Sequence, residues 1–138
     1  MKMKKIVLFT VMVLCVSLHA LAQSPAHKIV IQVNTSDTTA WHGVVRNIGN
    51  LQTALGPNTS IEVVAHGSGI GLLIDSKTTQ KAKIAELSAK GVSFVACENT
   101  IRMNKIDKAT LLPQSGFVPS GVAEVILKQE AGWSYLKP

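Results

Sequence analysis

The stretch "HKIVIQVN", His27 to Asn34, decides the fold. It is dense in Val and Ile and apolar at nearly every position from Ile29 to Val33, where a strand wetted on one face would alternate apolar and polar residues. A strand of this kind is covered on both faces, and it reads as the first and central strand of a parallel sheet. Downstream, Ser36 or Asp37 can cap a helix in which Trp41, Val44, Val45, Ile48, Leu51 and Leu55 recur at helical spacing, and Gly56-Pro57 ends the pattern.

The unit then repeats. "SIEVVAH", Ser60 to His66, reads as a second strand, and the glycine-rich turn "HGSGIG" leads through Leu72 to Ile74 into a lysine-bearing helix ending near Lys90-Gly91. "VSFVAC", Val92 to Cys97, is a third strand. A short helical stretch follows from about Glu98 to Lys105, then a loop around Pro113, an extended piece "GFVP", a helix from about Ser120 to Gln129, and a last short strand "WSYLK". Strands alternating with helices predict an α/β fold with helices on both faces of a parallel sheet.

Upstream of this pattern, "MKMKKIVLFTVMVLCVSLHALAQ" combines Lys2, Lys4 and Lys5 with an apolar run and Ala20-Leu21-Ala22, the layout of a secretory signal peptide cut before Gln23. The apolar run from Ile6 to Leu18 is shorter than the roughly 20 residues that span a bilayer. The expected organisation is therefore a cleaved signal over residues 1–22 and a single domain over 23–138, periplasmic or secreted, with no membrane anchor left after cleavage. Without the signal, eleven basic and eight acidic residues remain, a charge of +3. With no basic run and few aromatic residues, nothing favours nucleic-acid binding.

In open parallel sheets, ligands bind outside the carboxyl ends of the strands, where loops and helix N-termini converge. Here those ends fall at Asn34-Thr35, His66-Gly67, Cys97-Glu98-Asn99-Thr100 and Ser120-Gly121. Cys15 leaves with the signal, so Cys97 is the only cysteine of the expected mature chain: buried and inert, paired between chains, or kept for chemistry. Ahead of a helix, its thiol would sit near free N–H groups and the positive end of a dipole, which favour thiolate; as a small hydrophobe it could equally well only pack.

His66 can act as a base toward Cys97, hold an anion, or cap a loop, whereas His42 lies off the apolar stripe of its helix and is expected at the surface. Gly67, Gly69 and Gly71 can present amides to an anion, with Ser120 at the next strand end, but they lack nucleotide-binding spacing, and the plainer reading is a flexible connection. Three histidines and one cysteine show no metal-ligand spacing. No Ser-His-Asp order or carboxylate pair stands out, and no cofactor is implied.

The segments "VVAHGSGIGLL" (Val63–Leu73), "GVSFVACENTI" (Gly91–Ile101) and "VPSGVAEVILKQEAGWSYLKP" (Val118–Pro138), together with "KIVIQVN", resemble the DsrE-like family of small sulfur-handling proteins. The likeness covers nearly all of the expected mature chain. It implies a three-layer α/β/α fold around a mainly parallel five-stranded sheet and assembly into trimers or hexamers. It also implies a sulfur carrier or transferase in which a cysteine, matched here by Cys97, holds a persulfide and exchanges it with a donor or acceptor protein. His66, Asn99 and Thr100 are then the candidates for orienting that sulfur. A cleavable signal departs from the relay members, which work in the cytoplasm with dedicated partners; the rival is a non-catalytic oligomeric module that binds a small ligand or a protein.

Overall fold

The computed structural model describes residues 26–137; the signal peptide expected over residues 1–22 lies outside them. The elements are β1 (His27–Val33), α1 (Thr38–Leu55), β2 (Thr59–Ala65), a 3-10 helix (Gly67–Leu73), α2 (Lys81–Ala89), β3 (Ser93–Cys97), α3 (Glu98–Met103), β4 (Ser115–Val118), α4 (Gly121–Glu130) and β5 (Ser134–Leu136). All four strand pairings are parallel, in the order β4-β3-β2-β1-β5. The centre of the sheet is thus β2, not β1 as the sequence suggested. β1 is nonetheless flanked on both sides, which is what its continuous apolar run reports.

Strand alternation divides the side chains between two unequal cores. Ile29, Ile31 and Val33, Ile61, Val63 and Ala65, and Phe94 and Ala96 face one side and pack with Trp41, Val44, Val45 and Ile48 of α1 and with Ile84 and Leu87 of α2. Val30, Val64, Val95 and Val118 face the other side, where Val125 of α4 and the half-buried Trp133 cover them. The chain makes three successive crossovers toward β4, then swings under the sheet through α4 to the opposite edge at β5. That single reversal leaves α4 as the one helix on the smaller core among the described residues.

Local signals explain the helix limits. The Asp37 carboxylate accepts from the Thr39 N–H at 2.8 Å, and the backbone turns out of α1 at Gly56 with φ of 84°. The glycine-rich segment after β2 is not a flexible connection. It is a 3-10 helix with Gly69, Ile70, Gly71, Leu72 and Leu73 buried. A Cβ on Gly69 would fall 2.2 Å from the Val33 carbonyl oxygen, so glycine lets this segment lie against the end of β1. Among the described residues no helix is long and apolar enough to cross a membrane.

One charged pair is set into the smaller core. Glu62, on the central strand, is buried and meets Lys128 of α4 at 2.9 Å; Lys128 also lies 4.3 Å from the Trp133 ring centroid. The second oxygen of Glu62, Oε1, is buried without a hydrogen-bond partner. Removing one member of such a pair strands the other. Lys128→Ala is expected to lower stability by about 3 kcal/mol in urea unfolding, whereas the double change Glu62→Leu with Lys128→Met restores most of that loss. A double variant no more stable than Lys128→Ala would show that the pair does more than fill the core.

Candidate functional site at the carboxyl edge of the sheet

On the smaller core the alternation of β1, β2 and β3 places Gln32, His66 and Cys97 on one face at the carboxyl ends of three adjacent strands. His66 continues β2 in extended conformation, and its N–H donates to the Val33 carbonyl at 3.0 Å. Cys97 ends β3 and is the residue from which α3 starts. Over both comes the start of α4. A Cβ on Gly121 would lie 2.8 Å from the Cβ of His66 and 3.2 Å from the Cβ of Cys97, so only a residue without a side chain lets the helix seat there.

Cys97 is a free thiol and 4% exposed. Burial alone would push its pKa up. Hydrogen bonds from the Thr100 hydroxyl and from the backbone N–H groups of Gly121, Thr100 and Asn99 outweigh that burial and hold the thiol below its ordinary value. These donors come from two helix starts, α3 and α4, which converge on one sulfur. Thr100 is itself buried, and its Oγ1 accepts from the Gly67 N–H at 2.9 Å. One hydroxyl thus ties the 3-10 helix to the sulfur.

The structure sorts the residues singled out in the sequence. Cys97, His66 and Thr100 come together. Asn99 contributes only its N–H, which also donates to the Pro119 carbonyl at 3.2 Å; its side-chain oxygen accepts from Arg102 and not from the site. The Gly67 amide is taken by Thr100, and the Gly69 amide donates to the His66 carbonyl at 3.0 Å, so neither is open to an anion. Ser120 caps α4 through the Ala123 N–H, and it is the next residue, Gly121, whose amide reaches the sulfur. His42 is exposed, at a distance from this chemistry along α1.

Gln32 and Tyr135 are not among the residues the sequence singles out, and Gly121 figures there only as part of a strand end. Gln32 is the one polar residue in the apolar run from Ile29 to Val33, and a polar side chain on a strand covered on both faces needs a partner. It has two. Its Nε2 lies 2.8 Å from His66 Nε2, and the Tyr135 hydroxyl donates to its Oε1. Burial, then the positive charge of Lys137, lowers the His66 pKa, so the ring is neutral at pH 7. His66 is therefore no cationic partner for the thiolate.

A small parallel α/β domain with a donor-surrounded thiol at the carboxyl edge of its sheet is the class of protein that fold and site define. The DsrE/DsrF-like family model matches residues 18–138, and the chain belongs to that family. Its fold resembles that of a protein of unknown function from Methanobacterium thermoautotrophicum, with 31% identity, a TM-score of 0.77, and coverage of 81% of this chain and 99% of that one. A second protein of unknown function, from Bacteroides thetaiotaomicron, shares the fold at 15% identity with a TM-score of 0.61, covering 85% of this chain and 99% of its own. No curated protein matches. Membership of the family suggests, in general terms, a role related to sulfur relay.

Thr100→Val keeps the shape of the side chain and removes the hydroxyl. The Cys97 thiol is expected to titrate at higher pH, with each unit of rise lowering the thiolate fraction at neutral pH about tenfold. The orphaned Gly67 amide should cost about 1 kcal/mol of stability. Thiolate ultraviolet absorbance followed against pH reads the first effect without depending on reagent access. A titration identical to wild type would remove Thr100 from the site.

Proposed function

We propose that the protein binds a sulfur atom on Cys97 as a persulfide and passes it to an acceptor. The observation that carries this reading is a buried cysteine, 4% exposed, whose thiol is held below its ordinary pKa by hydrogen bonding from Thr100, Gly121 and Asn99. A core cysteine that only packs has no use for such donors, whereas a sulfur anion in a nearly dry site needs them. Loading requires no oxidant when the donor is a polysulfide. The Cys97 thiolate attacks a sulfane sulfur, the Sγ–S bond forms as the donor S–S bond breaks, and the electron pair leaves on the shortened chain. Release to an acceptor thiolate is the same exchange in reverse. The Lys-rich start and apolar run of residues 1–22 support export, so the reading places this exchange in the periplasm or outside the cell.

Treating the purified protein with polysulfide and recording its intact mass should show a gain of one sulfur, reversed by a dithiol and absent from Cys97→Ala. The reading fails if Cys97 reacts with a small haloacetamide yet gains no sulfur.

We also propose that copies of the chain associate through α4. Val122, Ile126 and Leu127 of this helix are 53%, 50% and 58% exposed, an apolar outer face on the helix that packs on the smaller core. The combined change Ile126→Glu and Leu127→Glu is expected to convert the oligomer to monomer by light scattering while leaving the far-ultraviolet circular dichroism intact. A wild-type chain that is already monomeric at high concentration would refute it.

A further inference from the structure

Tyr135, Gln32 and His66 form a file of side chains that runs from the edge of the sheet to the neighbourhood of Cys97. Tyr135 pairs with Val30 in the β5–β1 register, which puts its side chain on the same face as Gln32, two residues further along β1. Its hydroxyl donates to Gln32 Oε1, and this fixes which end of the amide faces Tyr135. The NH₂ group is left for His66, and Gln32 Nε2 donates to His66 Nε2 at 2.8 Å. An imidazole nitrogen that accepts carries no proton, so the proton of the neutral ring sits on Nδ1. With Oε1 turned to Tyr135, the amide offers the ring only N–H donors, and His66 Nε2 can only accept.

We infer that Tyr135 and Gln32 are positioning residues that lock His66 in the Nδ1-protonated tautomer, making it a hydrogen-bond donor and not a base toward Cys97. The inference rests on the reading of Cys97 as the working sulfur and adds a division of labour to it. The thiolate is set by the donors of Thr100, Gly121 and Asn99, while His66, with its acceptor nitrogen occupied, takes no proton from the thiol. It keeps one N–H to give. Tyr135 is 42% exposed, so the last strand links a surface residue to the protonation of a half-buried ring. The charged group that bears on His66 from the same end of the chain is Lys137, which disfavours a second proton on the ring.

The experiment is long-range ¹H–¹⁵N correlation of the His66 ring in the protein without any sulfur donor, at neutral pH. The wild type is expected to show a protonated Nδ1 and an unprotonated Nε2. Tyr135→Phe frees the amide to turn, and the tautomer ratio should fall about fivefold, the worth of one net hydrogen bond. Gln32→Glu presents only acceptors and should move the proton to Nε2. A wild-type ring protonated on Nε2, or nitrogen shifts unchanged in both variants, would overturn the proposal. The readout needs no bound sulfur, so failure of persulfide loading and failure of the tautomer lock are separate results; unaltered backbone amide shifts across β1 and β2 distinguish the lock from loss of packing.

Discussion

The close seat of α4 at Gly121 is the constraint on which the rest of the site depends. A methyl group there would meet the Cβ of His66 at a separation that Cβ atoms do not tolerate and crowd that of Cys97. With glycine, the first turn of α4 settles on the carboxyl ends of β2 and β3, and its first amide reaches the Cys97 sulfur. The same helix then carries Val125 onto Val30, Val64 and Val95, Lys128 onto Glu62, and the chain on to β5. One backbone contact thus sets the second core layer, a sulfur ligand and the position of Tyr135 together.

The second determinant is the balance at the sulfur. Burial opposes ionisation, and a thiol enclosed as fully as Cys97 would be inert if its surroundings were only Val and Ile. Four donors reverse the sign. They are supplied cheaply, because three are backbone N–H groups at helix starts that lack intrahelical acceptors in any case. The fourth, the Thr100 hydroxyl, donates a hydrogen bond to the sulfur while accepting from Gly67, so it is oriented by the segment that follows β2. No cationic side chain is needed, and His66 is kept neutral. The site is built from dipoles, not from an ion pair.

Much of this was legible in the sequence, and the physical reasons divide the successes from the failures. Periodicity reports burial, so the unbroken run in β1 and the helical stripe of Trp41, Val44, Val45 and Ile48 gave the layers. Strand ends follow from periodicity, so the meeting of Cys97 and His66 at one sheet edge, with Thr100 at the start of α3, is legible there. The role of the Asn99 side chain is not, because sequence does not show which way a side chain turns, and Arg102 one turn along α3 claims its amide oxygen. Gly67 and Gly69 are ambiguous in sequence because flexibility, positive φ and close approach all use glycine; Gly67 has a φ of 53°, and Gly69 lies against the Val33 carbonyl. Gly121 and Tyr135 depend on contacts between segments far apart in the chain. Gln32 alone left a trace, as a polar residue where none should be comfortable.

A thiol whose pKa is lowered by neutral donors has a consequence for the proposed exchange chemistry. A fixed cation beside the sulfur would stabilise the thiolate and the persulfide anion alike, but it would also attract any anion in solution. Amide and hydroxyl dipoles at contact distance act over a shorter range and select by position. With Cys97 only 4% exposed, the proposed exchange would favour a small, linear sulfur chain over a bulky thiol or disulfide. For the proposed exchange a neutral His66 with one N–H fits the same scheme, because a ring that takes no proton from the thiol leaves the negative charge on sulfur. On the proposed reading, His66 is held neutral so that its donor stays free for the second sulfur.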